Sequence, residues 1–336
     1  MTRDGVVRFV VPAGVDDPER VSGGNVYDRR VHDGLLASGW DIRMAEAADG
    51  EAVAAALDEV PRGGTVLVDG LVAGWAPAGV ESAADRARVV VLAHMVAGSF
   101  GGADADEMDR EHRALRHASF VIATSKWTAS ELLRRGMVDE HRLTVAVPGS
   151  VDGPVARGAA GDLLCVGAIA PHKGQDLLLD ALDRLRDLEW TCTVAGSREV
   201  DPAFARRIAA AAAPFGSRVR MPGVLHAAAL DTAYQRSGLL VAPSRAESYG
   251  MAIADARRRG LPVIASAVGG IPEAVAGGGA VLVKSDDPGA LAAAMEHWMT
   301  DPALRARLRA EAADARHRAP RWSDTVERID QVLAAA

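Results

Sequence analysis

The sequence predicts an α/β protein built from two Rossmann-like, doubly wound domains that face each other across a cleft. Short, continuous apolar runs alternate with longer amphipathic stretches along the chain. Continuous apolar runs are typical of strands buried on both faces of a parallel sheet, and regular βα alternation indicates doubly wound sheets. A length of 336 residues favours two domains of similar size over a single core.

Ten short apolar runs are predicted to be strands, five in each half of the chain. They are residues 6–11, 65–68, 89–93, 120–123 and 143–147, followed by 163–166, 191–195, 239–242, 262–266 and 280–283. Helical patterns lie between and after them. The clearest cover residues 127–135, 176–186, 204–213, 288–300 and 322–333. In such a fold, ligands are expected at the carboxyl ends of the strands.

A change of composition near residues 149–162 predicts the domain boundary. The stretch PGSVDGPVARGAAGD is rich in glycine and small residues and follows neither the helical nor the strand period, which is typical of a linker. We expect an N-terminal domain at 1–152, a linker at 153–162, a C-terminal domain at 163–318 and a terminal helical segment at 319–336.

The composition argues against several classes of partner and location. A formal net charge of −7 does not fit a nucleic-acid-binding protein, which usually carries a basic face. The N-terminal sequence lacks the pattern of a signal peptide, and no run approaches 18 apolar residues. Cys165 and Cys192 lie within apolar runs and are expected to be buried free thiols. The sequence therefore predicts a cytoplasmic protein without membrane association.

The most specific motif is PSRAESYGMAIADARRRGLPVIAS, residues 243–266. A strand ends before it, a tight turn follows, and a helix is expected to begin near Tyr249 or Gly250. The backbone N–H groups of Ser248, Tyr249 and Gly250, with the positive end of the helix dipole, could cradle a diphosphate. Carboxylates at Glu247 and Asp255 suit the paired hydroxyls of sugars. The alternative is an ordinary helix start followed by a solvated aspartate.

This motif resembles the donor site of the retaining nucleotide-sugar glycosyltransferases with the GT-B fold, in particular glycosyltransferase family 4 (glycosyl transferases group 1). In that family, two acidic residues separated by seven positions precede a strand of the type GLPVIA. Glu247 and Asp255 occupy the two positions, although the family usually has glutamate at the second. The downstream VGGIPEAV, with Gly269 and Gly270, also matches. The resemblance implies a nucleotide-sugar site in the C-terminal domain and an acceptor site in the N-terminal one.

A second match is CVGAIAPHKGQDLLLDAL, residues 165–182. Lys173 corresponds to the family lysine that neutralises the donor diphosphate, and the helix after it is expected to begin near that residue. Where the family commonly has a second cation, an arginine, this chain has Ala168. Arg198, after the next strand, is the preferred substitute because it stays charged at all relevant pH values. His172 is the alternative.

The N-terminal half matches more loosely. SGGNVYDRRV places Gly23 and Gly24 after the first strand, where the family has a loop that approaches the donor phosphates; a plain βα turn is the alternative. His94 ends a predicted strand at the position of an active-site histidine of the family. Histidines after apolar strands are also common structural residues. The final helix, including RWSDTVERIDQVL, fits the family helix that returns to the first domain.

The resemblance implies retention of anomeric configuration without a metal ion or other cofactor, with catalytic roles for His94, Lys173 and Glu247. The Asp104–Asp106 pair is expected to precede a helix and not to bind metal. The expected reaction moves a hexosyl unit from a nucleotide sugar, UDP-sugar favoured, to a small soluble acceptor. Open alternatives are another GT-B enzyme, such as an epimerase or a phosphorylase, and an inactive binding subunit. An arginine stripe at 110, 113 and 116 could attract lipid, but its interleaved acidic residues oppose this.

Overall fold

The computed structural model describes residues 5–100 and 104–335, so the first four residues of the N-terminal stretch considered above lie outside the described part. The chain divides into two compact units. The first contains the chain up to Asp17, Gly23–Gly149 and the segment from Pro320 onward. The second contains Pro18–Ser22 and Ser150–Ala319. Each unit holds one six-stranded parallel sheet with helices, so the predicted α/β class with two doubly wound sheets is confirmed.

The first unit has the strand order β2-β1-β3-β4-β5-β6. Its strands are β1 (Val6–Pro12), β2 (Asp41–Ala47), β3 (Thr65–Asp69), β4 (Arg88–Ala93), β5 (Phe120–Ala123) and β6 (Leu143–Val145). Its first helices are α1 (Gly23–Ala37), α2 (Gly50–Asp58), α3 (Gly70–Ala73), α4 (Pro77–Ala84), α5 (Ala105–His117) and α6 (Lys126–Arg134). Apolar clusters cover both faces of the sheet, which explains the continuous apolar runs of its central strands.

The second unit has the strand order β12-β11-β10-β7-β8-β9. Its strands are β7 (Asp162–Val166), β8 (Thr191–Ala195), β9 (Val219–Gly223), β10 (Leu239–Ala242), β11 (Val263–Ser266) and β12 (Ala280–Val283). Its helices are α7 (Gln175–Asp183), α8 (Pro202–Ala212), α9 (Ala227–Arg236), α10 (Met251–Arg258), α11 (Ile271–Ala274), α12 (Pro288–Thr300) and α13 (Pro302–Arg316). Its core includes the fully buried Trp298.

The last helix, α14 (Trp322–Ala334), packs on α1 within the first unit. The two helices approach so closely that a Cβ at Gly34 would overlap the side chain of Val326. The indole N–H of Trp40 donates to Asp330 at 2.6 Å, and the Thr325 hydroxyl donates to a backbone carbonyl at 2.7 Å. Apolar burial, together with these bonds, fixes the helix against the sheet.

All ten predicted strands form, but the sequence failed to indicate β2 and β9. Both are edge strands. Only one side of an edge strand pairs, so it need not be apolar on both faces, and β2 (DIRMAEA) carries three charged residues. β9 (VRMPG) contains a proline, which is tolerated at a sheet edge. A search for continuous apolar runs therefore passes over both.

Three smaller expectations can also be compared with the structure. Cys165 and Cys192 are buried free thiols, as predicted. Asp104 caps α5 by accepting from the backbone N–H of Glu107, whereas Asp106 lies inside the first turn of that helix, so only the first residue of the Asp104–Asp106 pair precedes it. The two helices of the site motifs begin slightly later than expected, at Gln175 and Met251, because a 3₁₀ turn at Pro171–Lys173 and the left-handed Gly250 come first. No helix in the described part of the chain is long and apolar enough to cross a membrane.

Candidate functional site

The topology of the second unit brings its two sequence motifs together. From β7 the chain moves outward through β8 and β9, and it returns to the other side of β7 with β10. The strand order therefore reverses between β7 and β10, and the carboxyl ends at such a point form the usual ligand site of a doubly wound sheet. Lys173 follows β7 and Glu247 follows β10.

The loops after β7 and β10 are bound to each other by their backbones. The N–H of Arg245 donates to the carbonyl of His172 at 2.8 Å. Gly174 adopts a left-handed conformation with φ of 69°, and a Cβ there would overlap the carbonyl of Pro243. Only glycine fits both requirements. The two loops therefore hold Lys173 and Glu247 at a fixed separation.

Arg245 strengthens this junction with its side chain. Its guanidinium forms a bidentate pair with Asp176 in the first turn of α7, at 2.8 and 2.7 Å, and a further bond to Asp286 at 2.5 Å. It also donates to the carbonyl of Pro171 at 2.8 Å. Bidentate arginine–carboxylate pairs fix geometry better than single contacts. Arg245 therefore fastens the turn that carries Lys173 to the loop that carries Glu247.

Lys173 and Glu247 form the charged centre of this site. The Lys173 ammonium lies 2.5 Å from Oε2 of Glu247. The two side chains retain 24% and 16% exposure, so both remain reachable by a ligand while being shielded from bulk water. A shielded ammonium can stabilise an anionic group, and the adjacent carboxylate can accept from hydroxyls.

A third loop, between β11 and α11, lies against the Glu247 turn. The N–H of Gly270 donates to the carbonyl of Glu247 at 2.9 Å. A Cβ at Gly269 would overlap that same carbonyl, and one at Gly270 would overlap the carbonyl of Ser248. The two glycines of VGGIPEAV thus allow two backbones to touch.

Helix α10 starts directly after this turn. Gly250 is its left-handed N-cap, with φ of 102°, and no side chain caps this helix start within the described residues. An uncapped start leaves backbone N–H groups for a ligand or water. Tyr249 is buried, and burial raises the pKa of its phenol to about 12, which keeps it neutral. Ser248, Tyr249 and Gly250 therefore occupy the turn where the sequence predicted a diphosphate cradle.

Asp255 lies one turn further along α10 and has a protein partner. Its Oδ1 accepts from the backbone N–H of Val151 at 3.1 Å, and a guanidinium nitrogen of Arg259 lies 3.9 Å away. These contacts tie α10 to the start of the irregular segment before β7. A ribose contact for this carboxylate stays a prediction.

Arg198 and His172, the two candidates to replace the arginine that is missing at Ala168, differ in charge. Strands β7 and β8 are neighbours, as the choice of Arg198 required. The Arg198 guanidinium donates to the carbonyl of Met221. Burial, with a contribution from nearby Lys173, lowers the pKa of His172 to about 4. His172 is therefore a neutral imidazole at pH 7, whereas Arg198 is a cation.

In the first unit, His94 is not isolated, and its partners were missed in the sequence. Its Nε2 lies 2.8 Å from Oδ1 of Asp28 on α1 and 3.2 Å from Oδ2 of Asp69 at the end of β3. Tyr27 packs edge-on against the imidazole, with ring centroids 5.1 Å apart. A signal was available, because Asp69 and His94 end two predicted strands that are neighbours in the sheet. Gly23 and Gly24 form the start of α1.

The charges of this cluster are strongly coupled. Burial lowers the pKa of His94, but Asp28 and Asp69 outweigh this effect and raise it to about 10. Burial raises the pKa of Asp28 to about 7. For Asp69 burial is opposed by hydrogen bonds from His94 and from the Leu71 N–H, and its pKa lies below the usual range. This is the arrangement of a protonated imidazole between carboxylates.

Sequence comparisons relate the chain to known proteins. Residues 156–315 match the family Glycosyl transferases group 1. D-inositol 3-phosphate glycosyltransferase 1 of Catenulispora acidiphila is 34% identical over 219 residues, which are 61% of this chain and 49% of that protein. The lipopolysaccharide core biosynthesis mannosyltransferase LpcC of Rhizobium leguminosarum bv. viciae is 32% identical over 201 residues, 56% of this chain and 57% of that protein. The matches thus span about half the length of these relatives.

Solved structures share the fold over nearly the whole chain. Sucrose-phosphate synthase from Thermosynechococcus elongatus superposes with a TM-score of 0.82 at 20% identity, covering 99% of this chain and 100% of that one. Anabaena Alr3699/HepE in complex with UDP and glucose gives 0.78 at 17% identity, covering 98% and 99%. The predicted GT-B type of α/β fold is confirmed by these neighbours.

Proposed function

We propose, on the match of residues 156–315 to the family Glycosyl transferases group 1, that this chain transfers a hexosyl unit from a nucleotide sugar to an acceptor hydroxyl. The observation that carries the proposal is the meeting of Lys173 and Glu247. They are 74 residues apart in sequence, and their charged groups lie 2.5 Å apart, beside the point between β7 and β10 where the strand order reverses. The Lys173 cation can bind a diphosphate, and the Glu247 carboxylate can accept hydrogen bonds from sugar hydroxyls.

The proposed donor site consists of the three touching loops of the second unit. Lys173 neutralises the diphosphate, and the backbone of Ser248, Tyr249 and Gly250 at the start of α10 donates to it. Glu247 accepts hydrogen bonds from sugar hydroxyls. Asp255 can accept from the ribose hydroxyls if its hydrogen bond from the Val151 N–H breaks. Arg198 supplies the second cation that Ala168 does not. For the first unit we propose, from the resemblance alone, a catalytic role for His94 and a donor-binding role for Gly23 and Gly24.

UDP is the favoured nucleotide. The structure of Alr3699/HepE contains UDP and glucose, and that of starch synthase IV from Arabidopsis thaliana contains ADP and acarbose, so related folds accept different bases. The acceptor is proposed to be a small soluble molecule, as expected from the sequence. The names of the relatives suggest a polyol phosphate as a first test compound.

The proposed reaction proceeds with retention and without a metal ion. The acceptor oxygen bonds to the anomeric carbon on the face from which the diphosphate leaves. The bond between that carbon and the phosphate oxygen breaks, and the departing phosphate takes the acceptor proton. Lys173 and the helix dipole of α10 stabilise the negative charge that develops on the leaving group, which is the step at which fixed charges are most effective. His172, neutral at pH 7, contributes little charge.

The test is a donor panel on the intact protein. UDP-, GDP- and ADP-hexoses are each incubated with simple sugars and polyol phosphates, with and without EDTA, and the released nucleoside diphosphate is measured. We expect one base to dominate, no loss with EDTA, and a product whose anomeric proton coupling shows retention. Release of no nucleotide from any donor would contradict transferase activity. An inverted product or full inhibition by EDTA would refute only the mechanism.

A further inference from the structure

The buried carboxylates beside His94 have no role in the donor site described above. We propose that Asp28 and Asp69 are positioning residues that hold His94 doubly protonated, so that His94 serves as a fixed cationic hydrogen-bond donor to a ligand oxygen and not as a general base. The protonation state follows from the geometry alone, whereas the identity of the ligand as a sugar rests on the proposed function.

Both carboxylates contact the same imidazole nitrogen. Nε2 of His94 lies 2.8 Å from Asp28 and 3.2 Å from Asp69. An Nε2 placed between two ionised carboxylate oxygens at these distances carries a hydrogen, because a bare lone pair would repel both. Nε2 is thus committed to donation, and a general base at this position would have to use Nδ1 alone.

Burial makes the positive charge necessary. The Asp28 side chain is completely buried, and that of Asp69 is 4% exposed. Two neighbouring buried carboxylates without a cation would each lose hydration and repel the other, which is strongly unfavourable. Asp69 is fixed further because its Oδ1 accepts from the N–H of Leu71 at 2.6 Å. Among the described residues, His94 is the cation that contacts both carboxylates, and deprotonating it would remove that charge.

The other groups around the imidazole do not replace that charge. From α1, Tyr27 faces His94, but its hydroxyl donates to the carbonyl of Ala146 at 2.8 Å, and burial raises its pKa well above the usual value. From β5, the neighbouring Thr124 donates to the His94 carbonyl at 3.3 Å. Asp28 on α1 and Asp69 at the end of β3 are therefore the charged groups that set its titration, consistent with its raised pKa of about 10.

His94 is the member of the cluster that a ligand can reach. Its side chain is 14% exposed, whereas the carboxylates are almost inaccessible. With Nε2 occupied, Nδ1–H remains for an external acceptor. Charge-assisted donors of this kind are about twice as strong as neutral ones. The cluster thus presents an imidazolium held in place by two carboxylates, with a raised pKa of about 10.

The experiment is a pH titration of ¹⁵N-labelled intact protein, observed through its imidazole nitrogens and assigned with His94→Gln. We expect both nitrogens of His94 to stay protonated from pH 6 to 9. Asp28→Asn and Asp69→Asn should each lower the midpoint by at least one pH unit. The matched control is Asp33→Asn, which removes another carboxylate of α1 that is exposed and 2.9 Å from His32 Nδ1. It should leave His94 unchanged.

A wild-type His94 that titrates near 6.5 would overturn the proposal, even if the asparagine variants failed to fold. Unchanged titration in both folded variants would also overturn it. As a second readout, the fall of kcat/KM for the donor with rising pH should begin at a lower pH in Asp28→Asn than in the wild type. Because the titration needs no turnover, a protonated His94 in a protein without transferase activity would refute only the proposed function.

Discussion

At the scale of single residues, the account depends on two charges that the fold brings together. Lys173 is one of three lysines in the chain, and its ammonium is paired with Glu247. A donor that binds there must share both groups: its phosphates attract the ammonium, and its hydroxyls replace that cation at the carboxylate. The pair therefore keeps both groups ordered and charge-balanced before the donor arrives.

Glu247→Gln is expected to lower kcat/KM for the donor by a factor corresponding to about 2–4 kcal/mol. The amide keeps the shape but removes the negative charge that orients Lys173 and accepts from hydroxyls. Steady-state kinetics give the loss, and circular dichroism checks the fold. Glu296→Gln, at an exposed position of α12, is the control and should be silent. Near-normal turnover of Glu247→Gln would remove this residue from the site.

Arg198→Ala is expected to weaken donor use about as much as Lys173→Ala. The double variant should lose less than the sum, since both cations act on one diphosphate. His172→Ala should matter less, because its lowered pKa of about 4 leaves it uncharged at pH 7. The measurement is steady-state kinetics of the three single variants and the double. If Arg198→Ala kept normal activity while His172→Ala lost most of it, His172 and not Arg198 would be the residue that replaces the missing arginine.

His172 should also make stability depend on pH. Its pKa is about 4 in the folded protein and about 6.5 in an unfolded chain. The unfolded state therefore binds the proton first, so this contribution is complete above about pH 6.5 and is lost as the pH falls through 4. The shift corresponds to on the order of 3 kcal/mol. His172→Gln should flatten the fall of Tm over this range more than His297→Gln, whose side chain is 63% exposed. Equal slopes would contradict the shift.

At the scale of elements, the site is a junction of three loops whose backbones touch. The sequence predicted the strands and motifs of this junction because continuous apolar runs and glycine-rich turns are local patterns. It did not predict the ion pairs of Arg245 with Asp176 and Asp286, since the three residues lie in different parts of the sequence and arginine is common throughout this chain. Asp28 was missed for a similar reason: from the sequence alone, a carboxylate on a helix is expected to be exposed to solvent, whereas the fold buries this one.

Gly269→Ala tests the contact between two of these loops. Gly269 has φ of 54°, and an added Cβ would overlap the carbonyl of Glu247. Gly216 is a matched control with φ of 56° and open space around its position. Gly216→Ala should therefore lose only the cost of holding an alanine at a positive φ, about 1–3 kcal/mol. Gly269→Ala should be less stable than that by denaturant unfolding and should also bind the donor more weakly. Equal losses in both variants would show that the contact is unimportant.

At the scale of the whole molecule, both units follow one plan. In each, the strand order reverses beside the first strand, between β1 and β3 in the first unit and between β7 and β10 in the second. The residues singled out for function follow the carboxyl ends of strands near these points: His94 after β4 in one unit, and Lys173 and Glu247 in the other. Strand order cannot be read from apolar runs alone, but the doubly wound topology restricts where such residues can lie.

The most direct test of the central claim is calorimetric titration of the intact protein with UDP, GDP and ADP. We predict saturable binding of at least one nucleotide, a loss of affinity of tenfold or more in Lys173→Ala, about 1.4 kcal/mol, and no change in Lys126→Ala, which alters an exposed lysine of the first unit. Absence of binding for all three nucleotides, or equal affinity in wild type and Lys173→Ala, would contradict the assignment of the donor site.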